Sequence, residues 1–152
     1  MGNRQWAKLD GPNAIGEQKG KSRKQMKAFH SFRELPVYQD AFALQQAIFQ
    51  ISKSWPREET YALIDQIRRS SRSIGANIAE AWAKRRYEAH FTSKLTDADA
   101  ELQETLHWLD TAIACDYLDQ DRAMELGEMS ESVGRQLGAI LRDAKSFCKK
   151  HA

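Results

Sequence analysis

Long apolar runs are missing from this sequence. None approaches the ~18 residues that would suggest a membrane span, so no membrane role is expected. Cysteine is scarce. The two present, Cys115 and Cys148, form no CxxC pair and no zinc-like cluster with the four scattered histidines. Disulfide staples and a structural zinc site are therefore not expected, and reduced thiols in the cytoplasm are the simplest setting. The N-terminus, Met1-Gly2-Asn3-Arg4-Gln5-Trp6, has no continuous apolar stretch of the secretory kind. Met1-Gly2 opens like a myristoylation site, but Trp6 stands where Ser or Thr is wanted. Period-two alternation is absent as well, and strands are not needed anywhere.

What remains is an ordinary globular composition over 152 residues, enough for one domain that buries a core unaided. The net charge of +2 hides segregation. The start of the chain carries Arg4, Lys8, Lys19, Lys21, Arg23, Lys24 and Lys27 against Asp10 and Glu17. A second basic block holds Arg68, Arg69, Arg72, Lys84, Arg85, Arg86 and Lys94 against Glu80 and Glu88. From Asp97 to Glu131 eleven acids face Arg122 alone. Such blocks mean either pairing within the fold or an anion-binding face.

Residues 1–29, glycine-rich and without apolar period, are expected to form a flexible basic tail. Residues 30–152 read as a helical bundle. Pro36 fits a first helical turn, and Tyr38, Phe42, Ile48, Phe49 and Ile51 fall on one broad face up to Trp55. Pro56 stops that helix. A second helix from about Glu58 has the stripe Leu63, Ile67, Ser71, Ile74, Ile78 and Ala81. A third carries Phe91, Leu95, Ala98, Leu102, Leu106, Leu109 and Ile113. Asp119 is a fair N-cap for a fourth, with Leu126, Met129, Val133, Leu137, Ile140, Ala144 and Phe147. Four such helices with short joins favour an all-α, antiparallel, up-down-up-down four-helix bundle. The second join, Lys84 to Glu88, lacks Gly, Pro, Ser and Asn, so local signals also allow one long helix there.

The run from Gln66 to Ala81, with Arg68-Arg69-Ser70-Ser71-Arg72 and Gly75-Ala76-Asn77-Ile78-Ala79-Glu80, resembles the signature of a family of small bacterial four-helix-bundle proteins. That family is named for members encoded in intervening sequences of large-subunit ribosomal RNA genes. Phe32-Arg33-Glu34-Leu35-Pro36-Val37-Tyr38, Trp55-Pro56-Arg57-Glu58-Glu59 and Phe91-Thr92-Ser93-Lys94-Leu95 resemble its flanking pieces, so the likeness covers Phe32 to Leu141. The resemblance implies a homo-oligomer, since known relatives form pentameric rings. It also implies a distant tie to the accessory bundle proteins of diversity-generating retroelements, which bind reverse transcriptase and nucleic acid. It supplies no catalytic residues. Ala81 departs from the family's usual glycine, and Arg86-Tyr87 from its usual serine cap.

Catalytic and metal chemistry find little support. Glu104-Thr105-Leu106-His107 is one Glu-x-x-His motif, but a bundle di-iron site needs two, so no metal or other cofactor is expected. At about 100° per residue, Arg68, Arg72 and Arg86 lie within roughly 40° of one another, with Gly75 and Ala79 on the same line. This line is a phosphate track if exposed. If the hairpin turns near Glu88, Arg72 instead faces Glu104 and Arg68 faces Trp108, and the arginines are paired inside the fold. On the outer side of the same helix Arg69, Ser73, Ala76, Glu80 and Ala83 suit an oligomer interface. In the tail, Lys21, Arg23, Lys24 and Lys27 have no neighbouring acids to neutralise them. The reading is a non-catalytic oligomeric bundle that binds nucleic acid, RNA first, or serves a nucleic-acid-processing complex with a protein partner such as a reverse transcriptase. The alternative is a protein-interaction scaffold docking through the acidic third and fourth helices.

Overall fold

The computed structural model describes residues 29–148. Four long helices account for most of them: α1 (Pro36–Ser52), α2 (Asp65–Lys84), α3 (Glu88–Ala114) and α4 (Gln120–Arg142), followed by the short α5 (Ala144–Phe147). No strand occurs among the described residues. Each long helix packs on its neighbours in chain order and α4 closes back on α1. The α1–α2 and α2–α3 hairpins are antiparallel: Phe49 meets Arg68 and Arg72 while Tyr38 meets Gly75, and Arg69 meets Glu104 while Glu80 meets Lys94.

Local chemistry sets the boundaries. Pro36 occupies the first turn of α1, where its missing N–H costs nothing. Beyond Trp55-Pro56 the chain re-forms through a 3-10 turn (Arg57–Glu59) and a wide π turn (Thr60–Ile64) before settling into α2. The α2–α3 join is a break, not a continuous helix. Tyr87 turns extended, and Arg85 stacks its guanidinium 3.8 Å from the Trp82 ring while donating from Nη1 to the Trp82 carbonyl at 2.6 Å. An arginine thus satisfies a helix-end carbonyl where a glycine would ordinarily mark the turn. At the end of α3, Asp116 adopts φ 60°, Tyr117 N–H reaches the Ala112 carbonyl at 2.9 Å and Asp116 N–H the Ile113 carbonyl at 3.1 Å. This is the paired 6→1 and 5→2 pattern that ends helices in a left-handed residue. Asp119 caps α4 as expected, accepting the Arg122 N–H at 2.8 Å.

The expected stripes of α2, α3 and α4 lie in or against one core. For α1 the buried face is rotated. Val37, Ala41, Leu44, Ile48 and Ser52 point inward, whereas Phe42 is 46% exposed and Tyr38 and Phe49 are only half-buried. Small and aliphatic side chains at this i, i+4, i+7 spacing let α1 approach its neighbours closely. The large aromatics are displaced to the flank above α2. Trp55 and Trp82 are both buried in the core.

Candidate nucleic-acid interface

On α1, Tyr38, Phe42, Gln45 and Phe49 recur at the same intervals as Arg68, Arg72, Gly75 and Ala79 on α2. Each set lies on one helical line, and the antiparallel pairing sets the two lines side by side. Bulky aromatics on α1 therefore stand against arginines at one end and against small residues at the other.

At the first end three cations converge on one ring. Lys53 Nζ lies 4.6 Å from the Phe49 centroid, the Arg68 guanidinium carbon 4.8 Å and that of Arg72 5.5 Å. Arg68 is further held by donating from Nε to Ser52 Oγ at 2.8 Å, and that hydroxyl donates in turn to the Phe49 carbonyl at 3.1 Å. Among the described residues, no carboxylate comes within ion-pair distance of Lys53, Arg68 or Arg72. Asp65, Arg69, Ser73 and Ala76 share with Arg68 and Arg72 an open concavity of about 460 Å³.

At the second end a groove of about 330 Å³ runs between Tyr38–Phe42 and Gly75, Ala76 and Ala79. Arg72 and Ala76 line both hollows, so the two adjoin. Phe42 stacks on Tyr38 with centroids 6.1 Å apart, and Phe32 meets Tyr38 edge-on at 4.8 Å. A Cβ on Gly75 would lie 3.5 Å from Tyr38, in ordinary van der Waals contact, so the Tyr38 ring packs over Gly75.

The α3 acids that face α2 are engaged elsewhere. Arg69, not Arg68 or Arg72, takes Glu104 at 2.6 Å and Glu101 at 3.8 Å, and Trp108 Nε1 donates to the same Glu104 oxygen at 3.3 Å. Burial raises the Glu101 carboxyl above the usual range, against the opposing pull of Arg69 and with further upward pushes from Glu104 and Asp97. Lys94 bridges Glu80 at 2.7 Å and Asp97 at 3.5 Å; its hydrogen bond to Glu80 is the main reason its ammonium is raised and the Glu80 carboxyl lowered. Asn77 donates from Nδ2 to the Ser73 carbonyl of its own helix, and its Oδ1 accepts from Lys94 Nζ of α3 at 3.5 Å.

The pairing expected inside the α2–α3 hairpin is thus corrected. Glu104 faces Arg69, and Arg68 and Arg72 turn to α1, because the turn centres on Arg85–Tyr87 and not on Glu88. Arg86 sits in that turn beyond the end of α2, its guanidinium 5.6 Å from the Tyr87 ring, and does not continue the Arg68–Arg72 line. Of the residues expected at an oligomer interface, Arg69 and Glu80 are tied to α3 and the Ser73 hydroxyl donates to the Arg69 carbonyl, while Ala76 and Ala83 are exposed. Lys21, Arg23, Lys24 and Lys27 lie outside the described residues. Sequence reasoning missed Lys53 and assigned Phe49 and Phe42 to the core. Their repeat of the arginine spacing on the partner helix was the available signal.

Among the described residues, no three His, Cys, Asp or Glu side chains are grouped to hold a metal ion, and no helix is long and apolar enough to cross a membrane. The molecule is an all-helical bundle with one flank where cations and aromatics stand together and, among the described residues, Asp65 is the one acid lining the basic hollow, out of ion-pair distance of Arg68 and Arg72. The chain belongs to the 23S rRNA-intervening sequence protein family, whose model matches residues 33–139. Among solved structures it is similar to a Bacteroides thetaiotaomicron protein of unknown function from the S23 ribosomal protein family. The two share 29% identity with a TM-score of 0.64, over 70% of this chain and 95% of that one. No curated protein matches the chain.

Proposed function

We propose that this protein is a non-catalytic helical bundle that binds nucleic acid, RNA first, through the α1–α2 flank. The observation that carries the reading is the convergence of Lys53, Arg68 and Arg72 on Phe49 with no carboxylate of the described residues in ion-pair contact with them. Like charges gathered at one spot repel, and a polyanion relieves that repulsion while releasing its own counterions. Arginine forks suit phosphate oxygens, and the Ser52 bond holds one fork in place before a ligand arrives. The family description, which names 23S rRNA, supports RNA as the first ligand to try. The basic residues Lys21, Arg23, Lys24 and Lys27 add sequence-independent phosphate contacts in the same reading. A homo-oligomer, which the family resemblance implies to be a ring of five, would multiply such contacts by avidity. An accessory role beside a nucleic-acid enzyme such as a reverse transcriptase follows the same logic.

Anisotropy of labelled structured RNA and single-stranded DNA, at low and near-physiological salt, tests the proposal. Salt-sensitive binding that weakens when Lys53, Arg68 and Arg72 are neutralised is the expected result. No binding at low salt refutes it. A second reading draws on α3 and α4, where Asp99, Asp110, Asp121 and Glu128 make no ion pair among the described residues. Such a face suits a basic protein partner, and capture of one defined protein after nuclease treatment would favour that scaffold role.

A further inference from the structure

We propose that the groove between Tyr38–Phe42 and Gly75–Ala79 receives an unpaired nucleobase, so that the protein prefers single-stranded nucleic acid over duplex. This rests on the phosphate-binding reading of the same flank and adds the strand class it selects. The Phe42 ring is about half exposed, while the neighbouring Val37, Ala41 and Leu44 of the same helix are buried. Its orientation is fixed from behind by Tyr38, at an interplanar angle of 30°, and Tyr38 is itself braced edge-on by Phe32. A ring held in place on one side and open on the other is what a stacking base requires.

Size and charge narrow the occupant. At about 330 Å³ the groove is at the lower end of small-ligand sites (~300 Å³ and up), which suits one planar group and not a packed helix. Gly75 and Ala79 keep its α2 wall low, and Gln45, whose Nε2 donates to Gln46 Oε1, sets its own Oε1 near Gly75 at the groove's edge, where it can accept from a base. Arg72 lines both this groove and the basic hollow, so a phosphate at Arg72 puts the attached nucleoside beside Phe42. In a duplex the base faces are already stacked on their neighbours, and exposing one costs a few kcal/mol. Only an unpaired strand offers a face without that cost.

Two other occupants fit less well. The chain's own basic N-terminal residues would bring like charge to Lys53, Arg68 and Arg72. A second copy meeting this flank with the same flank would do so too.

The experiment compares full-length wild type, Phe42→Ala and Phe42→Trp, with a labelled oligoadenylate strand and the same strand annealed to its complement, at one fixed salt concentration. Wild type is expected to favour the single strand. Phe42→Ala should weaken single-strand binding roughly five- to hundredfold, as loss of one base–aromatic stack does, and leave duplex binding unchanged. Phe42→Trp should retain the preference. Equal weakening of both ligands, or no strand preference in wild type, overturns the inference and leaves phosphate binding standing. Loss of both ligands on neutralising Lys53, Arg68 and Arg72, with no effect of Phe42→Ala, does the same. A change in the oligomeric state of Phe42→Ala by light scattering also overturns it, by making the groove a seam between subunits. Failure of wild type to bind either ligand removes both readings. Thermal melts check that each variant is folded.

Discussion

Replacing Lys53, Arg68 and Arg72 together by glutamine tests phosphate binding at this flank. On single strands each neutralised phosphate contributes about 0.7 to the slope of log affinity against log salt, so three contacts contribute about two. Between about 50 and 200 mM salt the wild type should therefore lose roughly twentyfold more affinity than the triple variant. Folding stability should change far less. Each cation over Phe49 is worth about 0.5–1 kcal/mol, and the Arg68–Ser52 hydrogen bond about 1 kcal/mol. Relief of repulsion among three clustered charges offsets much of that sum. The matched control is Arg69→Gln with Glu104→Gln, which leaves net charge unchanged and removes a half-exposed ion pair worth under ~1 kcal/mol. Titrations at four or five salt concentrations, with thermal melts of every variant, give both readouts. The reasoning is refuted if the paired control flattens the salt slope as much as the triple variant, or if the triple variant leaves the slope intact.

Three further outcomes test the fold. Gly127 lies inside α4 with no atom placed to meet an added methyl group, so Gly127→Ala should stabilise the protein by about 0.5–1 kcal/mol in denaturant titration. Asp116 holds a left-handed backbone at the negative end of α3, and Asp116→Gly removes both the steric and the electrostatic penalty, for a net gain of about 0.5–1 kcal/mol in the same assay. The Tyr117 hydroxyl donates to Glu59 at 3.0 Å and is pushed up to about 12, chiefly by that hydrogen bond. The folded state thus keeps a proton that the unfolded state releases near pH 10. Stability should fall as pH rises from 10 to 12, and Tyr117→Phe should remove that fall.

Most of the bundle was legible in the sequence because α2, α3 and α4 each carry one apolar stripe and polar residues elsewhere. α1 was not, because two apolar stripes overlap on it. Val37, Ala41, Leu44 and Ile48 fit one helical line, and Tyr38, Phe42 and Phe49 another some 100° away. Hydrophobicity alone does not choose between them, and the space between neighbouring helices decides for the first. Hairpin register was hidden for a different reason. The α2–α3 turn is made by Arg85 reaching back to the Trp82 carbonyl and ring, a device that leaves no Gly or Pro in the chain. Placing the turn near Glu88 put Glu104 opposite Arg72; the residue found there is Arg69, nearly one helical turn away on an adjacent face. That shift moves the acids off the Arg68–Arg72 line. The candidate site consequently depends on two features, one α1 face and one turn, that local patterns leave open.

The N-terminal residues and the α1–α2 flank are joined in a way that makes their contributions separable. Phe32 lines the aromatic groove, so Lys21, Arg23, Lys24 and Lys27 precede it in the chain by five to eleven residues. Tethering keeps these charges at high effective concentration near any strand bound at the flank. Phosphate contacts carry no information about pairing, whereas a base stack does. Replacing those four residues by glutamine in the full chain should therefore weaken single-strand and duplex binding by the same factor. Phe42→Ala should weaken the single strand alone, and the combined variant should show the product of the two effects, as is expected of contacts that share no partner. A large departure from that product would mean that the N-terminal segment and Phe42 act on one another directly. The groove would then be a seat for the chain's own N-terminal segment, and its role in strand choice would be an indirect one.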